Sequence, residues 1–184
     1  MDNGASSYRR FLDGDDKGLA EIIRSYNDGL TLYLNSFVND LSLADELSED
    51  TFVKIGLRKP RFSGNSSFKT WLYAIGRNVA IDHVRKSSKH TAVPMDDCAE
   101  QAEEESIERK YLKEEQKIVL HKAMNRLKPE YRQVLWLTYF EELSAKETAA
   151  IMKKSVHSVE NLVSRARQSL KSELDQEGYV YENL

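Results

Sequence analysis

Apolar side chains recur along this chain at steps of three and four residues. Tyr8 to Leu12 begin the pattern, a Gly-Asp-Asp break follows, and Leu19, Ile22, Ile23, Tyr26 and Leu30 resume it. Leu41, Leu43, Ala44, Leu47, Thr51, Phe52 and Ile55 extend it, with Asp45, Glu46, Glu49 and Asp50 around the outside. Phe68, Trp71, Leu72, Ile75, Val79 and Ile81 form a further stripe. Such spacing lays one apolar face along a helix, and that face must pack on another helix. No stretch shows alternating β-branched residues bounded by turn signals, so the expected fold is all-α.

Towards the C-terminus the punctuation becomes sharper. Leu127-Lys128-Pro129-Glu130 predicts a helix stop and restart, because proline suits the first helical turn. Tyr131, Val134, Leu135 and Thr138 then form a stripe ending at Phe140-Glu141-Glu142-Leu143. Ser144-Ala145-Lys146-Glu147 has the form of a capping box, in which the serine oxygen accepts from the third helical residue and the glutamate reaches back. A short helix from Ala145 to Met152 is expected, then the break Lys153-Lys154-Ser155, then a second helix capped by Ser155 and running to about Leu170. Ala149, Val159 and Leu162 supply a small contact and two apolar plugs where these helices cross. Together they predict a helix-turn-helix.

Charge divides the chain in a way its net value of −3 conceals. Residues 1–90 carry 13 basic and 12 acidic side chains, residues 91–108 none and 7, and residues 109–184 carry 14 and 11. The middle segment lacks apolar periodicity over most of its length and reads as an acidic flexible linker. Its plain role is a solvated spacer. Its sharper role is occupation of a partner's basic channel by Asp96, Asp97, Glu100 and Glu103 to Glu105. The expected organisation is therefore two small helical domains, 1–90 and 109–174, joined by linker 91–108 and followed by a tail, 175–184.

Between Arg58 and Lys89 the chain holds eight basic residues against one acid, Asp82. In the same stretch aromatic and basic residues interleave, on a loop from Arg61 to Ser67 and the helix behind it. Rings offer faces on which bases stack, and Arg and Lys neutralise phosphates, so the patch suits an unstacked nucleic-acid strand. Trp71, Leu72 and Ile75 also fit a buried stripe. Phe62 and Asn65 lie outside that period, where no packing need is visible. On the second helix of the helix-turn-helix, His157, Ser158, Glu160, Asn161, Ser164, Arg165, Arg167, Gln168 and Lys171 point outward. Asn and Arg can make bidentate contacts to adenine and guanine edges.

These segments resemble the extracytoplasmic-function (ECF) sigma factors of bacterial RNA polymerase. The likeness rests on residues 44–52, 61–86, 126–144 and 164–170 and spans nearly the whole chain, from about Tyr8 to Leu174. The resemblance implies that Asp45, Glu46, Leu47 and Glu49 face core RNA polymerase. It further implies that Arg61, Phe62, Asn65 and Phe68 form the loop receiving a flipped base of the single-stranded −10 element, with Asn78 and Arg85 on the strand. Ser158, Glu160, Asn161, Ser164, Arg165 and Arg167 then face the double-stranded −35 element. An anti-sigma factor is a further partner that the resemblance allows. Three departures from the family pattern stand out: Asp45-Glu46 with Glu49 where Glu-Asp and Gln are usual, Lys153-Lys154 where Gly and an apolar residue are usual, and Ser158-Val159-Glu160 where Thr-Val-Lys is usual. A glutamate beside phosphates repels them unless it accepts from a cytosine amino group, which predicts an unusual −35 preference.

Two other readings remain open at this point: a stand-alone helix-turn-helix regulator, and a sigma-like decoy that binds polymerase without opening DNA. An enzyme is not expected. His83, His90, His121 and His157 are scattered without metal-ligand spacing, and Cys98 sits in the acidic segment without a basic neighbour. No phosphate loop or nucleophile motif is present, so no cofactor or metal is expected. The polar N-terminal stretch has no signal-peptide core and no apolar run spans a bilayer, so no membrane insertion and a cytoplasmic location are expected. The lone cysteine agrees with a reducing compartment.

Overall fold

Helices account for all the regular structure among the described residues, which in this computed structural model are 3–90 and 115–176. The acidic linker, Cys98 and the tail beyond Gln176 lie outside them. The N-terminal half contains α1 (Asn3–Leu12), α2 (Lys17–Val38), α3 (Leu41–Arg58) and α4 (Phe68–His90). The C-terminal half contains α5 (Glu115–Arg126), α6 (Pro129–Leu135), a π-helical turn (Trp136–Phe140), α7 (Ala145–Met152) and α8 (Val156–Gln176).

Local chemistry sets most boundaries. Helix α2 ends on Asn39, in the left-handed region at φ 53, and Asp40 then caps α3 by accepting from the Leu43 amide at 3.0 Å. Lys59, left-handed at φ 42, ends α3, and Pro60 prevents its continuation. Pro129 begins α6 as expected. The stripe through Thr138 does not continue as an α-helix: the chain widens into the π-turn, on which Trp136 and Phe140 stack with centroids 4.3 Å apart. Helix α8 runs to Gln176, six residues beyond the expected end, because Leu174 is buried and prolongs its inner face.

The core of the N-terminal half is built from Tyr8, Ile22, Leu30, Tyr33, Leu34, Ile55, Phe68, Leu72 and Tyr73, all at most 1% exposed. Helix α1 reaches further towards the N-terminus than its apolar run suggested, because Gly4 and Ser7 pack closely against the body. Gly29 on α2 leaves room for two polar groups: a Cβ there would lie 2.6 Å from the Tyr73 hydroxyl and 2.7 Å from the Glu141 carboxylate.

The C-terminal half gathers Leu135, Leu137, Ile151, Val159 and Ala166. Its buried apolar cluster is continuous with that of the N-terminal half. Arg132 is 7% exposed and ties the junction together, donating to the Asn125 carbonyl at 2.8 Å and to Asn39 Oδ1 at 3.1 Å. Burial lowers its pKa from the ordinary arginine value.

Candidate nucleic-acid interface

The loop between α3 and α4 is anchored from below. Tyr8 donates its hydroxyl to the Pro60 carbonyl at 2.7 Å, and burial pushes the Tyr8 pKa up to about 12. Gly64, at φ 74, turns the chain, and Ser67 caps α4 by accepting from the Thr70 amide at 3.2 Å. Arg61 and Asn65 project from this frame and are exposed.

Beneath them lies an aromatic nest. Phe62 meets Phe68 edge-on, centroids 5.6 Å apart, and lies 5.3 Å from Trp71. Phe68 in turn contacts Tyr8, Tyr26 and Trp71 at 5.6, 5.7 and 5.2 Å. These contacts correct two expectations. Phe68 is completely buried and offers no face to a base. It is the first residue of α4, so helical phase turns its ring into the core. Phe62 does have a packing role, since its ring is half-buried on the nest, and only its outer side is free. Leu72 is buried as its period implies, while Trp71 and Ile75 are half-buried at the rim.

Further along α4, Arg85 is exposed and Asn78 is half-exposed. The Asn78 Oδ1 already has a partner, accepting from Lys153 Nζ of the C-terminal half at 3.0 Å. Arg61 on the loop and Arg85 and Lys86 on α4 are thus exposed, and the contact with the other half falls between them.

The helix-turn-helix has the expected geometry. Ser144 and Glu147 form the reciprocal capping box of α7, and Lys153 ends that helix in the left-handed region at φ 55. Ser155 accepts from the Ser158 amide at 3.1 Å and caps α8. Val159, Leu162 and Ala166 face inward. Glu160, Asn161, Ser164, Arg165 and Arg167 are exposed and Ser158 is half-exposed, so the six candidate readers share one accessible side. Asn161 Nδ2 and His157 Nε2 are 3.0 Å apart, which orients the asparagine from one turn earlier. Lys154 pairs with Glu130 at 2.8 Å and so faces α6.

On α3, Glu46 and Glu49 are exposed and Asp45 is half-buried, 3.4 Å from the Thr31 hydroxyl. Leu47 is 2% exposed, a core residue with no surface to offer. Sequence reasoning passed over two neighbours: Val53 and Leu57 are 54% and 81% exposed. With Glu49 they fall at steps of four along one side of α3, out of phase with the buried stripe, and that phase was the available signal.

Two family descriptions match the chain: Sigma-70 region 2 over residues 22–90, and Sigma-70, region 4 over residues 117–170. The ECF RNA polymerase sigma factor SigM of Bacillus subtilis is 32% identical over 152 residues, covering 83% of this chain and 92% of that protein. The RNA polymerase sigma-H factor of Pseudomonas aeruginosa is 29% identical over 167 residues, covering 85% of this chain and 86% of that one. Among solved structures, the Bartonella quintana sigma factor RpoE, in complex with the anti-sigma factor NepR, superposes with a TM-score of 0.70 at 23% identity, covering 86% of this chain and 98% of that one. CnrH, in complex with the cytosolic domain of CnrY, gives 0.64 at 22%, covering 95% and 96%. The fold is thus that of a two-domain sigma factor. The chain belongs to the extracytoplasmic-function sigma factors, and it is a transcription initiation factor that recognises promoters with RNA polymerase. No helix among the described residues is long and apolar enough to cross a membrane.

Proposed function

We propose that the two domains, 1–90 and 109–174, divide promoter recognition between them. Arg61, Phe62 and Asn65 receive the non-template strand of the −10 element, and Asn78 and Arg85 follow its backbone along α4. Ser158, Glu160, Asn161, Ser164, Arg165 and Arg167 face the −35 duplex. Glu46 and Glu49, joined by Val53 and Leu57, dock on core polymerase. The observation that carries this reading is the exposed Arg61–Asn65 loop standing on a fixed aromatic nest. Opening a duplex costs a few kcal/mol of unstacking per base, and a rigid pocket with free polar groups offsets that cost without nucleotide hydrolysis.

The reading assigns the chain a non-catalytic, cytoplasmic role and leaves room for an anti-sigma factor as regulator. Its test is whether the protein comigrates with core RNA polymerase on a sizing column, and whether that complex retains a −10 non-template oligonucleotide. Retention is expected. Polymerase binding without retention would indicate the decoy, a reading favoured by the engagement of Asn78 with Lys153. Absence of polymerase binding would overturn the assignment of the α3 face.

A further inference from the structure

One side chain in the outward row of α8 is held in place by another. His157 and Asn161 lie one turn apart near the start of the helix, and both are exposed. Asn161 Nδ2 is 3.0 Å from His157 Nε2. An amide nitrogen only donates, so the contact is a hydrogen bond when Nε2 is the bare nitrogen and the ring carries its proton on Nδ1. The helix beneath the pair is fixed. Ser155 caps its start through the Ser158 amide at 3.1 Å, and Val159 and Leu162 hold its inner side.

Holding the amide decides what it reads. A free asparagine turns about its terminal bond, where the torsion is broad and roughly two-fold, and so exchanges its donor for its acceptor. His157 engages one Nδ2 hydrogen, which leaves the amide one donor and one acceptor on the same carbon. Adenine presents their complement in the major groove, with N7 as acceptor beside N6 as donor, whereas guanine presents two acceptors. The position on the helix also fits, because the N-terminal residues of a recognition helix are those that reach base edges. A plain alternative is a surface pair at i, i+4 that slightly stabilises the helix. Helix α8 already has its cap and its buried side, and the pair lies among Ser158, Glu160, Ser164 and Arg165 on the accessible side.

We propose that His157 is a positioning residue for base recognition, holding the Asn161 amide so that α8 selects adenine at one position of the −35 element. The inference rests on the assignment of the α8 row to the −35 duplex. It goes beyond that assignment by naming the base, the side chain that reads it and the side chain that makes the reading selective.

The test uses the full chain assembled with core RNA polymerase and promoter duplexes whose −35 element is randomised, with bound sequences counted. The parent is expected to prefer adenine at one position by roughly fivefold to a hundredfold. Asn161→Ala is expected to erase that preference and so to identify the position. His157→Ala is expected to lower it by roughly threefold to tenfold, the effect of freeing one ordered side chain, and to leave the other positions unchanged. His157→Gln is expected to restore part of it, since its side-chain carbonyl accepts from the same amide. Added to Asn161→Ala, His157→Ala is expected to change nothing further, because the histidine acts only through the asparagine.

Parental preference in His157→Ala would overturn the proposal. So would an equal loss at every position, the mark of a phosphate contact or of a damaged helix. A histidine effect that persists without Asn161, or a base other than adenine at the Asn161-dependent position, would overturn it as well. A parent complex with no −35 preference at all would remove the assignment of α8 to the duplex, and the inference with it.

Discussion

The two domains present nucleic-acid-facing residues in opposite ways. In the N-terminal domain the candidate strand face grows out of the core: Phe62 rests on Phe68 and Trp71, and those rings rest on Tyr8 and Tyr26. In the C-terminal domain the candidate readers lie along the outside of α8, and Val159, Leu162, Ala166 and Leu174 hold its inner side. Rigidity underneath a loop and exposure along a helix suit different substrates. A flipped base needs a fixed receiving surface, whereas a duplex groove needs an accessible row of polar side chains.

The largest break of this contrast is Phe68→Ala. Truncating a fully buried aromatic costs about 3–5 kcal/mol, so the denaturant midpoint of the N-terminal domain should fall steeply. A fall no larger than that of an exposed-site control would remove the nest from the account. Phe62→Ala comes next. Loss of one stacking surface should weaken −10 oligonucleotide retention by about 1–3 kcal/mol in the polymerase complex, while −35 duplex binding stays at the parental level. Simultaneous loss of both activities would make Phe62 purely structural.

Glu160→Lys sharpens the other side of the comparison. On a family-typical promoter it should tighten −35 binding and steepen the log–log salt dependence by up to about 0.9 for one added phosphate contact. Unaltered affinity and slope would place residue 160 away from phosphates. The smallest effect concerns Glu147. The hydrogen bond from Ser144 leads the causes that hold its carboxyl below the ordinary glutamate range, with the contacts to Ser67 and Thr70 adding to it. A depressed folded pKa gives stabilisation that is present above the unfolded glutamate value and is lost as pH falls through the folded one. The thermal midpoint should therefore decline across that acid window, and Glu147→Gln should flatten the decline.

The C-terminal domain was the more legible from sequence because its rules are local. The Ser144 to Glu147 box, the left-handed Lys153, the Ser155 cap and the outward row on α8 each depend on residues within a turn or two. The N-terminal site depended on packing between α1, the loop and α4. Nothing in the spacing of Phe62 shows that Tyr8, 54 positions away, helps to build its floor. Periodicity placed Phe68 and Leu47 on buried stripes, where they lie, and it was the family resemblance that put them at the strand and polymerase faces, because a buried and a binding residue can share a motif. Val53 and Leu57 were visible in principle through their phase on α3. The contacts of Lys153 with Asn78 and of Glu147 with Ser67 span 75 and 80 residues, and no local rule reaches so far.

That span has a consequence during synthesis. The carboxylate that completes the α7 capping box three residues from Ser144 also touches Ser67, 80 residues earlier. A ribosome adding about 5–20 residues per second delivers the whole N-terminal domain roughly 3–11 s before Glu147 exists. A newborn chain therefore passes through an interval in which its basic loop is complete and nothing from the second domain can cover it. The order of synthesis alone thus separates the completion of this surface from the arrival of the groups that later contact it.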